Sequence, residues 1–198
     1  MVRSRIFAVN TQKTLVDVTI SSLRPNVAEA AAFKMLEGSG PFAMLRHARL
    51  GPIQRLATVY LPFRIFRVTI HNGSLREDRV LAIDAVSGTL DLYRFEQPPS
   101  GAETVQVKTH NFPSGRLDAD SLEEKLREKV QRTLFRRGFF RLRDYRLEVA
   151  ALPDEIHVPY WVAFRGRGEH AQIDVLDAVR SAPEGGKVRR LIEQWLAE

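Results

Sequence analysis

The chain has 198 residues, of which 44% are hydrophobic, and its mean hydropathy of −0.23 is that of an ordinary globular protein. It contains no cysteine, which excludes disulfides, thiolate metal sites and a cysteine nucleophile. Thirty Lys and Arg against 24 Asp and Glu give a net charge of +6, which is compatible with an acidic partner.

The N-terminal residues lack the apolar run of a signal peptide, and no stretch approaches the roughly 18 apolar residues of a membrane span. We therefore expect a soluble cytoplasmic protein without a membrane span, or an extracytoplasmic one if a leader has been removed.

The first elements predicted are strands at residues 6–9 and 15–20, followed by a short helix at residues 27–37. Asn26 is positioned to cap the helix and Gly38 to end it. The predicted inner face consists of residues spaced by four, namely Val27, Ala31 and Met35.

An antiparallel meander is predicted next. Residues 63–70 and 79–86 are rich in apolar residues and flank Asn72-Gly73, a dipeptide that favours a tight hairpin turn. Residues 89–95 predict a third strand. Residues 97–101, which contain two consecutive prolines, predict a linker between a domain at 1–96 and another at 102–198.

The second half predicts a longer helix, a strand and a terminal helix. Ser121 and Glu124 form a capping-box pattern for a helix that ends near Arg137. Residues 139–152 predict a strand, Pro153-Asp154 a turn, and the residues from Lys187 onward an amphipathic helix. The apolar stripe of the longer helix is Leu122, Leu126, Val130 and Leu134.

Two stretches of the chain are similar to each other. A proline followed by an aromatic residue occurs at 62–63 and at 159–160, an offset of 97, and Asp-Ala-Val occurs at 84–86 and at 177–179, an offset of 93. The first offset aligns the helix at 26–37 with residues 123–134. The sequence therefore predicts an α+β fold of two pseudo-repeated units, each a helix with an antiparallel meander, followed by the C-terminal helix.

This unit resembles a PepSY-like domain. The residues that carry the resemblance in the first copy are Ala28, Ala31, Pro62, Phe63, Asp84, Ala85 and Gly88. The second copy keeps Pro159, Tyr160, Asp177 and Ala178, but has Ser181 where glycine is expected. The resemblance implies a small α+β, cystatin-like fold, usually found outside the cytoplasm, that binds or restrains peptidases and other partners.

Asp84 and Asp177 occupy equivalent places and allow two interpretations. They could act as paired carboxylates in acid–base chemistry or metal binding. Alternatively, each caps the turn that follows its strand by accepting backbone N–H bonds, and we favour this second interpretation. The five histidines are scattered, so no metal or cofactor site is predicted.

Basic and aromatic residues alternate at 136–146, after the longer helix. Such a segment can track a phosphate backbone while an aromatic ring stacks on a base. The competing interpretation is a solvated helix end and a strand whose apolar residues face the core. The candidate binding surface consists of Arg132, Arg136, Arg137, Phe140, Arg141, Arg143 and Tyr145.

We find no constellation of catalytic residues. The favoured hypothesis is therefore a non-enzymatic binding or regulatory protein that recognises a protein or peptide partner, with no cofactor. The alternative is a nucleic-acid-binding module that uses the basic segment at 132–146.

Overall fold

The computed structural model describes residues 16–136, 145–166 and 171–198, which form a mixed α+β fold with an antiparallel-rich sheet, as expected. The strands are β1 (Val18–Leu23), β2 (Ile53–Asn72), β3 (Leu75–Asp84), β4 (Tyr93–Phe95), β5 (Thr104–Thr109), β6 (Arg146–Arg165), β7 (Gln172–Asp177) and β8 (Ala182–Pro183). The helices are α1 (Glu29–Glu37), α2 (Gly40–Leu50), α3 (Ala119–Arg136) and α4 (Gly186–Leu196).

The sheet is built around the antiparallel pair β2 and β6, two strands of 20 residues each. Its order is β4-β3-β2-β6-β1-β5, and β7 pairs with β6 and with β8. The predicted hairpin is confirmed as β2 and β3, which pair from Phe63 with Asp84 to Asn72 with Leu75, around Gly73 with a positive φ of 59°.

The predicted turn at Pro153-Asp154 is wrong, because β6 continues through these residues. The ladder between β2 and β6 shifts from Arg64 opposite Glu155 to Phe66 opposite Ala151, so extra residues of β6 form a bulge at this point. A proline lacks the N–H needed for regular pairing and is tolerated at a bulge. Pro153-Asp154 therefore marks an irregularity within a strand and not the end of a strand.

Strands from both predicted domains share the sheet. The predicted linker at 97–101 lies in the connection between β4 and β5, and β5 returns to pair antiparallel with β1 from Val18 opposite Thr109 to Leu23 opposite Thr104. The boundary between 1–96 and 102–198 stays a prediction.

Helix α3 covers the β2–β3 hairpin. The predicted stripe of Leu122, Leu126, Val130 and Leu134 is buried throughout and packs against apolar residues of both strands. The predicted capping box is wrong, because Asp118 takes that role and its carboxylate accepts the Ser121 N–H at 2.8 Å. Hydrogen bonds from the backbone and the side chain of Ser121 lower the pKa of Asp118.

Helix α1 covers the other hairpin, β6–β7, with a face one residue away from the predicted one. Ala32 and Leu36 are buried against Ala163 and Leu176. Val27 is buried as predicted, but it precedes the helix, and Ala28, Ala31 and Met35 are exposed. Asn26 does not cap the helix, since its amide donates instead to the Val179 carbonyl at 2.6 Å.

The buried guanidinium of Arg165 joins the ends of α1 and α2 to the sheet. It donates to the Leu36 carbonyl and the Gly51 carbonyl, each at 2.9 Å, and to the carboxylates of Asp174 at 2.8 Å and Glu37 at 3.1 Å. A buried arginine is tolerated only when its donors are satisfied in this way.

Two further elements complete the fold. The predicted terminal helix is confirmed as α4, which buries Val188, Leu191 and Ile192 with Trp195 packed beside them. The predicted strand at 89–95 is shortened to β4, because the amide of Leu90 bonds to the Asp84 carboxylate and not to a neighbouring strand.

His157 lies buried where β6 meets β1. Its Nδ1 lies 3.3 Å from the Ser21 carbonyl, and the edge of its ring meets Phe112 with centroids 5.4 Å apart. Burial lowers the pKa of His157 from the ordinary value of 6.5, while Glu155 and the Ser21 carbonyl act in the opposite direction.

We expect the free energy of unfolding to decrease as the pH falls below 6.5, because the unfolded chain takes up this proton before the folded one. For a single proton the slope is at most about 1.4 kcal/mol per pH unit, and it ends below the folded-state pKa of His157. Urea denaturation between about pH 8 and pH 5.5 measures it, with His157→Gln expected to lose this slope and the exposed His110→Gln to keep it. Equal slopes for the wild type and His157→Gln would contradict the assignment.

Candidate functional site

The predicted binding surface is divided by the structure. Arg132 and Arg136 are exposed on α3 and line a cleft. Tyr145 is half-buried against the core between α3 and the hairpin, and this burial raises the pKa of its hydroxyl. Part of the Tyr145 side chain therefore contacts the protein core, and its role in binding stays a prediction. Four predicted members lie outside the described residues, namely Arg137, Phe140, Arg141 and Arg143.

The cleft, which we call the basic cleft, has a volume of about 560 Å³. It lies between α3, the turn that follows β3 and the start of α4. Four cations of α3 at positions i, i+4, i+7 and i+11 share the face that borders it, and these are Lys125, Lys129, Arg132 and Arg136. Arg94 and Lys187 lie across from them.

The cleft carries an excess of positive charge. Among the described residues, six cations line it and the acidic residues that line it are Asp91 and Glu128, so six minus two leaves a local charge of +4. Lys187 Nζ lies 3.7 Å from the Asp91 carboxylate, an exposed pair that contributes little to stability. Most of the positive charge is therefore available to an anionic ligand.

Lys129 is a half-buried cation of the cleft. Its ammonium donates to the Leu90 carbonyl. Burial lowers the pKa of Lys129, and Lys187 and Arg132 lower it further, while Asp84 and Asp91 act in the opposite direction. A bound anion would relieve this electrostatic repulsion, so the site is suited to a negatively charged group.

Asp84 builds the wall of the basic cleft. Its carboxylate is fully buried and accepts the backbone N–H groups of Ser87 at 2.7 Å, Gly88 at 3.0 Å and Leu90 at 2.8 Å. A Cβ at Gly88 would clash with Lys125, which shows that the lysine side chain lies directly against this turn.

Asp177 builds a similar turn after β7. Its fully buried carboxylate accepts the N–H groups of Val179 at 2.9 Å and Arg180 at 2.8 Å, and also the hydroxyl of Tyr93. Burial raises the pKa of Tyr93, as do Tyr160 and the Asp177 charge, so the phenol remains a proton donor.

The interpretation of both aspartates as turn caps is confirmed. Each carboxylate accepts several hydrogen bonds and is shielded from solvent. Among the described residues, no three His, Cys, Asp or Glu side chains are arranged to hold a metal ion. Within the same residues, no helix is long and apolar enough to cross a membrane.

The sequence prediction missed several residues of the cleft. Lys125 and Lys129 carried a usable signal, because their spacing from Arg132 and Arg136 places them on one face of a helix. Arg94 and Lys187 carried none, because only the fold brings β4 and α4 close to α3.

Comparisons of the chain with protein-family models, with curated proteins and with solved structures find no match. Function is therefore inferred from the geometry of these residues.

Ser181 lies four residues after Asp177, as Gly88 lies four residues after Asp84, and both have a positive φ, 57° and 67° respectively. A positive φ is unfavourable for serine and costs glycine little. We expect Ser181→Gly to raise the free energy of unfolding by about 0.5–1 kcal/mol after the greater entropy of an unfolded glycine is subtracted. Urea denaturation measures the change in the free energy of unfolding. A decrease in Ser181→Gly would contradict backbone strain at Ser181.

The matched control is Ser114→Gly, an exposed serine whose φ is not positive. That change should be neutral or slightly destabilising, because it only adds freedom to the unfolded chain.

Proposed function

We propose that this chain is a non-enzymatic binding protein that recognises an acidic segment of a protein or peptide partner. The observation that carries the proposal is the basic cleft, in which six cationic side chains from α3, α4 and β4 converge. Complementary charge steers association and selects partners of opposite sign.

The composition of the cleft favours a peptide over a nucleic acid. Asp91 and Glu128 interrupt the basic lining, and a uniform chain of phosphates would meet both of them. A peptide can offer a carboxylate to each cation and avoid the two acids. The residues lining the cleft also include no aromatic ring among those described, whereas binding of single-stranded nucleic acid commonly relies on such stacking platforms.

Our proposal includes the tandem repeat and its PepSY-like character. The turns that follow β3 and β7 support the repeat. The alanine carbonyl after each aspartate accepts two backbone N–H groups from the segment that precedes a helix, at 2.8 to 3.1 Å. The amide of the same alanine donates to the carbonyl of the proline that begins each similar stretch, Pro62 or Pro159. The donors are Arg116 and Leu117 for Ala85, and Asn26 and Val27 for Ala178.

These hydrogen bonds revise the alignment of the two proposed units. Val27 corresponds to Leu117, an offset of 117 − 27 = 90 and not the 97 indicated by the prolines. Each proposed unit then contributes its helix to the hairpin of the other, α1 to β6–β7 and α3 to β2–β3. The resemblance to a partner-binding family agrees with a binding role.

Charge reversal in the cleft tests the proposal. We expect a fluorescent hexaglutamate peptide to bind the wild type at low salt, and the triple variant Arg132→Glu, Arg136→Glu and Lys187→Glu to bind it at least about tenfold more weakly. Fluorescence anisotropy at roughly 20 mM and 150 mM salt measures both affinities.

The matched control reverses three exposed cations outside the cleft, namely Arg55, Lys108 and Arg146. Its net charge equals that of the cleft variant, so an equal loss of affinity in both would assign binding to overall charge and contradict a site in the cleft. Unfolding transitions of both variants establish that they are folded.

A second candidate function, nucleic-acid binding, is favoured by the regular row of cations on α3. The row extends over 11 residues, or about 16 Å at 1.5 Å per residue, a length along which several phosphates can lie. If four phosphates are contacted, we expect the logarithm of duplex affinity to fall with the logarithm of salt concentration at a slope of about −3 to −4. Titration with single- and double-stranded oligonucleotides across salt measures the slope, and binding without salt dependence excludes this function.

A further inference from the structure

A second concavity, which we call the aromatic groove, lies on the other side of β4 from the basic cleft. It has a volume of about 640 Å³, within the range of sites that hold small molecules or side chains. Apolar residues line it from the end of β1, from β4 and the residue before it, from the connection between β4 and β5, and from the Asp177 turn. They are Leu23, Leu92, Tyr93, Phe95, Ala102 and Val179.

Arginine side chains surround this apolar lining. Arg180 is held in place, since its guanidinium lies 3.7 Å from the centre of the Tyr93 ring and donates to the Leu92 carbonyl at 2.8 Å. Arg24 is held by the Ala102 carbonyl at 3.2 Å. Arg94 is exposed at the rim. Glu103 also lines the groove, so three arginines and one carboxylate leave it a net positive charge among the described residues. An apolar or aromatic group that enters it lies beside cations that favour π faces and carboxylates.

The groove and the basic cleft share a wall. Leu92 and Arg94 line both, so the two concavities meet along β4 and the residue before it. A single extended segment can therefore place acidic residues against α3 and a neighbouring side chain in the groove. Six extended residues span about 20 Å, enough for the row of cations on α3, and two more residues cross the shared wall.

We infer that the partner is an acidic peptide segment flanked by an aromatic residue, with the carboxylates in the basic cleft and the aromatic side chain in the aromatic groove. This inference rests on the proposed function. The acidic part supplies attraction, and the aromatic side chain supplies the apolar contact that charge alone does not provide. The binding energy is then divided between a salt-dependent site and a salt-resistant one.

The experiment compares five peptides on the full chain by fluorescence anisotropy. They are hexaglutamate, hexaglutamate extended by Gly-Phe at the C-terminus or Phe-Gly at the N-terminus, and the same extensions with serine in place of phenylalanine. We expect one phenylalanine peptide to bind about tenfold more tightly than its serine counterpart, a difference equal to about 1.4 kcal/mol. The gain should persist when salt weakens the binding of all five peptides.

The variant Ala102→Trp tests whether the higher affinity of the phenylalanine peptide arises in the aromatic groove. Ala102 is exposed and lines the groove, so a tryptophan there fills the space and should abolish the advantage of phenylalanine while leaving hexaglutamate binding unchanged. The matched control is Ala30→Trp on the exposed side of α1, which should keep the advantage.

Each outcome decides the inference. Tighter binding of the phenylalanine peptide that Ala102→Trp removes supports it. Equal binding of the phenylalanine and serine peptides overturns the inference and leaves the acidic-segment proposal standing. Tighter binding of a phenylalanine peptide that persists in Ala102→Trp has the same two consequences. Failure of hexaglutamate and of every extended peptide to bind overturns the proposed function together with the inference.

Discussion

The antiparallel pairing of β2 with β6 is the constraint on which the rest of the structure depends. Each strand has 20 residues, several times the usual length of a strand, and each carries a shorter partner along only part of its outer edge. Strand β3 pairs with one end of this ribbon and β7 with the other. Pro62 and Pro159 lie one residue beyond the last pair of these short ladders, where a missing N–H is tolerated.

Because both short strands stop near the middle of the ribbon, the chain must turn there twice, and a buried aspartate stabilises each turn. The Asp84 turn faces α3 and forms the basic cleft, while the Asp177 turn faces β4 and forms the aromatic groove. The hydrogen bond from Tyr93 to Asp177 links the two regions, since it ties β4 to the turn after β7. The positions of both concavities thus follow from where the hairpins end.

Local patterns predicted much of this fold, and long-range pairing accounts for what they missed. The α3 stripe, the Asn72-Gly73 hairpin and the aspartate turns depend on residues close in sequence, and all three are confirmed. The bulge at Pro153 was predicted as a turn because only its pairing with β2 distinguishes the two. The face of α1 was misassigned by one residue, because alanine favours a helix without indicating which side is buried.

The residues of the candidate site were likewise predictable only where they lie close together in the sequence. Arg132 and Arg136 could be found from a dense basic segment. The same segment suggested Tyr145 as a stacking ring, which stays a prediction, because a half-buried strand and a basic surface both interleave arginines with aromatics. Only the fold brings cations that are distant in sequence together beside a buried turn. The carboxylates of Asp84 and Asp177 accept hydrogen bonds from backbone N–H groups. A carboxylate saturated in this way orients its neighbours and leaves the chemistry of the surface to the cations. This arrangement supports the proposed recognition of an anionic partner.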